Sequence, residues 1–310
     1  MSKFLTLTVL TATAASGIRL AAPFLLASLG ETMGQRSGVL NLGVEGVMLL
    51  GAFGSYYTIL QTENLWLAVL VGAAIGAVLG LVTAVVSVTL KAEQGISGIG
   101  VYLFGLGLSD LLFQKLVGTP RPVTQLPPFD IPILADIPGL GKVIFQQSLL
   151  VYLAIVLVPV LAIVLNRTTF GTNVKAVGEN PAAADSLGVS VNRTRYATVI
   201  LGNVLAGLAG ATLAMELGIF QQNLTQGQGF IAVALVYFGA WRPSGVLVGS
   251  LLYGLVAATV LQWKTLGIIP LSASDLAATA PAVITVIALV VVARRFRQPA
   301  ALAKPYERGG

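Results

Sequence analysis

The chain has 310 residues, 56% of them hydrophobic and 10% charged, with a mean hydropathy of +0.88 and a formal net charge of +6. A soluble globular domain carries about a quarter charged residues, and here the deficit runs along the whole chain, which excludes a single anchor attached to a soluble domain. Repeated apolar runs of about 20 residues point instead to membrane-spanning helices, and the ~10-residue alternating segments of a transmembrane β-barrel are missing. With no Cys and no His, disulfides, Cys nucleophiles and His-based metal or acid–base chemistry are excluded. No nucleophile–base set for a membrane enzyme can then be assembled, and no metal or cofactor is expected.

In chain order, nine spans are expected, near 5–30, 39–61, 65–90, 96–116, 147–166, 196–216, 228–240, 243–262 and 277–293. The first apolar stretch, from Phe4 to Leu29, is too long for the core of a cleavable signal. Gly72, Gly76 and Gly80 recur four apart on the third span, and Gly202, Gly207 and Gly210 line the sixth. Small residues at such spacing let helix backbones approach closely where lipid offers no hydrophobic drive. Between the fourth and fifth spans, 118–146 carries Pro at 120, 122, 127, 128, 132 and 138. That density forbids regular helix and predicts a stiff extended cap, either a connector or a surface for a protein docking from outside. The seventh span is short, and the polar stretch 221–229 before it reads as a break at membrane depth. Such a break is tolerable only if it is packed in protein or lines a cavity. Ser-Gly-Val-Leu occurs at 37–40 and again at 244–247; chance is the better reading than an internal repeat.

Lys and Arg set the orientation. The segments 166–195 and 294–310 hold Arg167, Lys175, Arg193, Arg195, Arg294, Arg295, Arg297, Lys304 and Arg308, nine of the eighteen basic residues. With both segments in the cytoplasm, Arg36, Lys91 and Arg242 also fall inside, against Lys3, Lys115, Arg121, Lys142 and Lys264 outside. The amino terminus is then outside and the carboxyl terminus inside. The chain reads as one transmembrane domain, 1–310, with a cytoplasmic loop at 167–195 and a basic tail at 294–310. The basic excess serves the membrane interface, and no nucleic-acid partner is expected.

The loop contains the most informative short segment, Gly178-Glu179-Asn180-Pro181-Ala182-Ala183-Ala184-Asp185-Ser186-Leu187-Gly188. Asn180 suits an N-cap, Pro181 the first helical position and Gly188 a left-handed stop. The two turns between them, roughly 10 Å long, are too short to be stable alone. They require a surface: the membrane, the chain's own bundle, or a cytoplasmic partner. No phosphate-binding loop of the form GxxxxGK[ST] occurs, so energy for active transport would come from a separate ATPase.

Four ionisable residues fall within spans, Arg19, Glu45, Asp110 and Glu216. Each is either a pathway residue or a structural partner in the bundle. Asn41 and Glu45, four apart, are expected on one side of a helix and form the preferred pathway pair. Gln226, Gln228 and Phe230, in a cluster with Phe220, Gln221, Gln222 and Asn223, complete the candidate pathway. Amides and aromatic rings suit a neutral hydroxylated or heterocyclic solute, and equally a wetted outer loop.

The stretch 34–53, Gly-Gln-Arg-Ser-Gly-Val-Leu-Asn-Leu-Gly-Val-Glu-Gly-Val-Met-Leu-Leu-Gly-Ala-Phe, resembles the signature of the simple-sugar/nucleoside ABC permease family. That family shares a superfamily with ribose and branched-chain amino acid permeases. The segments 175–195 and 227–254 agree with it, the latter containing Gly-Gln-Gly-Phe-Ile-Ala-Val-Ala and Phe-Gly-Ala-Trp-Arg-Pro-Ser-Gly. The resemblance covers nearly the whole chain in order and spacing. It implies a multi-pass inner-membrane permease of a bacterial importer for nucleosides or related sugar-containing solutes. The implied partners are a second, similar permease, a cytoplasmic ATPase and an extracytoplasmic substrate-binding lipoprotein. It also implies that 179–188 is the helix that couples to the ATPase. The length resembles the shorter of two paired permeases, without the extra first helix of ribose-type relatives. A branched-chain amino acid cargo is the close alternative, and a stand-alone secondary transporter or channel the more distant one.

Overall fold

The computed structural model describes residues 6–293, except 133, 138 and 140, and residues 297–307. Lys3, Pro138, Arg294, Arg295 and Arg308 therefore lie outside the described residues. The fold is all-α apart from one short ribbon. In order, the elements are α1 (Leu7–Arg36), α2 (Val44–Thr62), α3 (Leu65–Ala84, prolonged by a π-turn at Val85–Thr89), α4 (Gln94–Leu116), β1 (Pro128–Asp130) and β2 (Gln146–Ser148). They continue as α5 (Leu149–Arg167), α6 (Thr169–Glu179), α7 (Pro181–Ser186), α8 (Val191–Leu217), α9 (Gln228–Phe238), α10 (Pro243–Thr265), α11 (Ser274–Ala278) and α12 (Ala280–Ala293).

Six described helices are long and apolar enough to cross a membrane: α1, α3 with its π-turn, α4, α5, α8 and α10. The apolar helices Gln228–Phe238 and Ala280–Val290 are shorter. The second expected span also differs, because helix begins only at Val44.

The sequence explains the centre of the bundle. α8 is the most enclosed of the six long helices, and it packs against α1, α2 and α3. Gly202 meets Gly30 backbone to backbone, and a Cβ built on Gly30 would stand 2.4 Å from the Gly202 carbonyl. Gly207 lies against Gly72 and Gly76, and Gly80 against Asn203 and Ile200. The stripe on α3 thus faces α8, whose own stripe is shared among three neighbours, Gly202 on α1, Gly207 on α3 and Gly210 on α2, and the absent side chains let the backbones touch. Around this axis sits an apolar core that includes Leu26, Leu29, Met48, Leu79, Val151 and Ala206.

Two helices, α2 and α9, follow non-helical approaches. Residues 37–43 are non-helical and climb from the end of α1 to the start of α2. Ser37 bonds Thr198 at 2.8 Å, and the Asn41 Nδ2 donates to Asn203 Oδ1 at 3.1 Å, so the segment rises beside α8. Residues 219–227 are likewise non-helical and lead into α9, so helix is interrupted at the polar stretch 221–229 until Gln228. The two Ser-Gly-Val-Leu copies differ in form: 37–40 is not helical, whereas 244–247 lies in α10.

One end of the molecule carries the ribbon. Phe129 pairs with Gln147 in its antiparallel register; within 118–146 the expected extended backbone runs only to 131, followed by turns and a π-helical turn at Gly141–Phe145, where no Pro stands to prevent it. Val123 N donates to the Gly218 carbonyl at 2.8 Å and Gln125 Nε2 to the Glu216 carbonyl at 3.1 Å, fixing this cap to the end of α8. The opposite, basic end gathers Arg36, Lys175, Glu179 and Arg297 around one cavity. There the carboxyl-terminal stretch is an ordered strap. Ala301 N donates to the Gly178 carbonyl at 2.8 Å, Ala303 N to the Gly38 carbonyl at 3.1 Å, and Arg195 Nη1 to the Lys304 carbonyl at 3.0 Å. Leu302 packs on Val236 and Trp241.

Candidate functional site

The segment around α7 is built as its residues dictate. Asn180 Oδ1 accepts from Ala183 N at 3.0 Å, Pro181 occupies the first turn, and Gly188 adopts the left-handed conformation at φ +85°. Glu179 ends α6 and does not belong to α7. Ala184 is buried against Val177 and Val191, with Tyr306 of the strap beside them. The bundle itself therefore seats one face of this short helix. What the bundle leaves open is the other face: Ala182, Ala183, Ser186, Gly188 and Leu187, the last 84% exposed. Asp185 lies half-buried between the two faces.

Of the candidate pathway residues, the structure separates what the spacing joined. Asn41 precedes α2, so it does not share a helical face with Glu45; the i,i+4 pairing fails because Leu42 and Gly43 form a turn and helix begins only at Val44. Asn41 N donates to Glu31 Oε1 at 3.0 Å while its side chain serves Asn203. Glu45, 1% exposed, accepts hydrogen bonds from Thr225 Oγ1 and from the backbone N–H groups of Gly227 (2.7 Å) and Gly229. These amides belong to the first turn of α9 and its approach, where a carboxylate satisfies donors left without helical partners and opposes the positive end of the dipole. Asp110 accepts from Asn223 N at 3.3 Å. Two of the four ionisable residues expected within spans, Glu45 and Asp110, thus hold the segment 219–227 in place.

The other two line a common cavity. Arg19 and Glu216, with Ser16, Phe24 and Gln228, surround about 200 Å³ between α1, α8, α9 and α10. Ser148 Oγ donates to Glu216 Oε1 at 2.5 Å, and Arg19 Nη2 donates to Ser16 Oγ at 3.2 Å. The Oε1 of Gln228 is buried without a hydrogen-bond partner among the described residues. Phe24 stacks on Tyr253 at 4.3 Å between centroids. Toward the ribbon, a larger cavity of about 560 Å³ shares Ser16 and Arg19 and is bounded by Pro128, Lys142 and Gln146. Together they form a recess leading in from the cap, mostly apolar in lining, with polar groups at Ser16, Arg19, Glu216 and Gln228.

Gln226 and Phe230 are elsewhere. Gln226 is exposed with a left-handed φ of +45°, and Phe230 packs edge to face on Tyr102 at 5.2 Å. Phe220 is fully buried in a cluster with Phe53, Tyr56 and Phe113. Sequence reasoning missed Glu31 and Gln35, because Glu31 stood one residue past the expected end of the first span. Glu31 accepts from Gln35 Nε2 at 3.0 Å, and Gln35 Oε1 accepts from Trp241 Nε1 at 2.7 Å. The polar run 30–36, with Met33 its one large apolar residue, gives no apolar period that could have carried the helix through both.

Comparison with known proteins agrees with this architecture. The chain is 41% identical over 256 residues to a putative glucose ABC transporter permease protein of Haloferax volcanii, covering 81% of this chain and 77% of that one. It is 37% identical to a nucleoside ABC transporter permease protein of Lactococcus lactis over 87% of this chain and 88% of the relative. A guanosine ABC transporter permease protein of Bacillus subtilis is 34% identical over 93% and 94% of the two chains. No solved structure matches the chain. Residues 13–294 match the family described as branched-chain amino acid transport system / permease component, and the chain, a multi-pass inner-membrane protein, belongs to that family.

Proposed function

We propose that this permease subunit of an ABC importer carries nucleosides or related sugar-containing solutes, and that α7 is its contact with the ATPase. The observation that carries the coupling assignment is the two-faced seating of α7: Ala184 is fixed on the bundle, and a face of small residues with Leu187 stands free at the basic end. Small side chains allow a partner cleft to close on the backbone, and one projecting Leu supplies an anchor. The relatives named for glucose, nucleoside and guanosine support the solute class.

The partners in this reading are a cytoplasmic ATPase, a second, similar permease and an extracytoplasmic substrate-binding lipoprotein that docks on the ribbon-end cap. Nine traverses, two of them part-extended (37–43 with α2, and 219–227 with α9), put the amino terminus outside and the carboxyl terminus in the cytoplasm. The gathering of Arg36, Lys175, Arg242 and Arg297 at one end supports this orientation. The recess lined by Arg19, Glu216 and Gln228 is the outer part of the pathway. The decisive experiment is uptake of labelled guanosine, glucose and leucine by cells expressing the complete transporter, with and without this subunit. Subunit-dependent uptake of guanosine or glucose is expected, and uptake of leucine alone would replace the solute assignment. Gradient-driven flux through the reconstituted single chain, without an ATPase, would sink the importer reading altogether.

A further inference from the structure

At the basic end a second cavity, of about 220 Å³, lies between the end of α1, α6, the α9–α10 turn and the strap. Arg36, Lys175 and Arg297 line it with Ala240, Trp241 and Pro299, and among the described residues Glu179 is the one carboxylate in its wall. Arg242 stands near enough to Arg36 to repel it. The Arg36 Nη1 is buried without a hydrogen-bond partner among the described residues. Lys175 Nζ donates to Asn166 Oδ1 at 2.7 Å, a neutral partner that leaves its charge uncompensated. Burial, and then repulsion from Arg36, push the Lys175 ammonium below the usual lysine value. Three cations facing one carboxylate across a shared hollow repel one another, and a guanidinium nitrogen buried without an acceptor is costly. An anion with several acceptor oxygens removes both penalties at once.

We infer that this cavity is a binding site for a phosphate group, held by Arg36 from α1, Lys175 from α6 and Arg297 from the strap. Arg supplies forked donors to phosphate oxygens and Lys a point charge. Two sources share this chemistry: the headgroup of an anionic phospholipid, and free phosphate in solution. Basic hollows at the cytoplasmic side of a helical bundle are suited to lipid headgroups. Because α6 runs directly into Asn180 and α7, an occupied site would tie the seat of α7 to α1 and to the strap.

The test uses the purified full-length chain, incorporated into phosphatidylcholine bilayers containing phosphatidylglycerol, then extracted and weighed intact by native mass spectrometry. Retention of about one phosphatidylglycerol per chain is expected. A Lys175→Gln, Arg297→Gln double variant, changing side chains not enclosed in the core, is expected to lower retention at least tenfold. Lys175→Arg is expected to keep it, and Lys264→Gln at the opposite end to leave it unchanged. Inorganic phosphate, titrated by calorimetry into lipid-free protein, distinguishes the second source: saturable binding lost in the double variant, without lipid retention, assigns free phosphate. Absence of both, or binding equal in wild type and double variant, overturns the proposal. Transport is not measured, so the outcome stands apart from that of the importer reading.

Discussion

Gly229, in the first turn of α9, donates its backbone N–H to the carboxylate of Glu45, in the first turn of α2. Two helices that both start inside the bundle are thereby locked start to start. The non-helical approach to each, 37–43 and 219–227, is in turn pinned by Asn203 and Asp110. A carboxyl group suits this position because three donors converge on its two oxygens, from Thr225, Gly227 and Gly229.

Glu45→Ala leaves those donors buried and unpaired, each at a cost of about 1–3 kcal/mol. The expected outcome is a fall in thermal stability of the purified subunit by several degrees, with uptake lost in parallel. Glu45→Gln, which keeps one carbonyl acceptor, is expected to fall between wild type and Ala. A Glu45→Ala protein that melts with wild type would remove the cap assignment.

The glycine stripes give a contrast within one fold. A Cβ on Gly207 would stand 2.2 Å from the Gly72 carbonyl, so Gly207→Ala forces α3 and α8 apart and is expected to cost about 1–3 kcal/mol. Gly107 in α4 faces open space, and Gly107→Ala is expected to be neutral or slightly stabilising through helix propensity. Folded yield and unfolding temperature in one detergent would compare them; equal behaviour contradicts the close packing.

On α7 the sequence makes Ala183 and Ala184 look equivalent, and the structure does not. Ala183→Asp places a charge on the free face, where stability should stay within about 0.5 kcal/mol of wild type. ATP-driven uptake is expected to drop about tenfold or more, roughly 1.4 kcal/mol of docking free energy. Ala184→Asp buries an unpaired charge against Val177 and Val191, and is expected to unfold the seat itself. Wild-type uptake in Ala183→Asp would withdraw α7 as the coupling element.

The strap supplies a fourth test. Ending the chain at 297 leaves the Gly178 and Gly38 carbonyls and Arg195 Nη1 without their partners from Ala301, Ala303 and Lys304. Each such loss is worth about 1–3 kcal/mol where water cannot replace it. Limited proteolysis should then cut within 179–190 faster than in the full chain, because the seat of α7 loses Tyr306. Unchanged cleavage there would show that the strap is only an appendage.

Because the chain has no Cys, a single Ser16→Cys reports on the recess beside Arg19. Within the complete transporter, its alkylation rate is expected to fall several-fold under saturating guanosine or glucose. Gln228→Leu, added to it, should abolish that protection while leaving the unprotected rate unchanged. Indifference of the rate to every transported solute would take the recess out of the pathway.

The membrane class, the small-residue stripes and the capped two-turn helix at 180–188 are local matters. They depend on composition, on spacing of three or four residues, and on which residue tolerates which backbone angle, and those are written in the linear chain. The break before α9 was legible for the same reason, as a polar run inside an apolar one. Which charged residue does what was not legible. Glu45, Asp110 and Glu216 are alike as residues inside apolar runs, yet two hold a broken segment and one faces a cavity with Arg19, more than a hundred positions away in sequence. Their roles depend on which backbone N–H groups lack partners, and that is settled only when distant segments meet. The start of α2 and the seat of α7 were likewise decided by tertiary contacts, Asn41 on Asn203 and Ala184 on Val191, because buried polar and apolar groups must be satisfied by whatever the fold brings beside them.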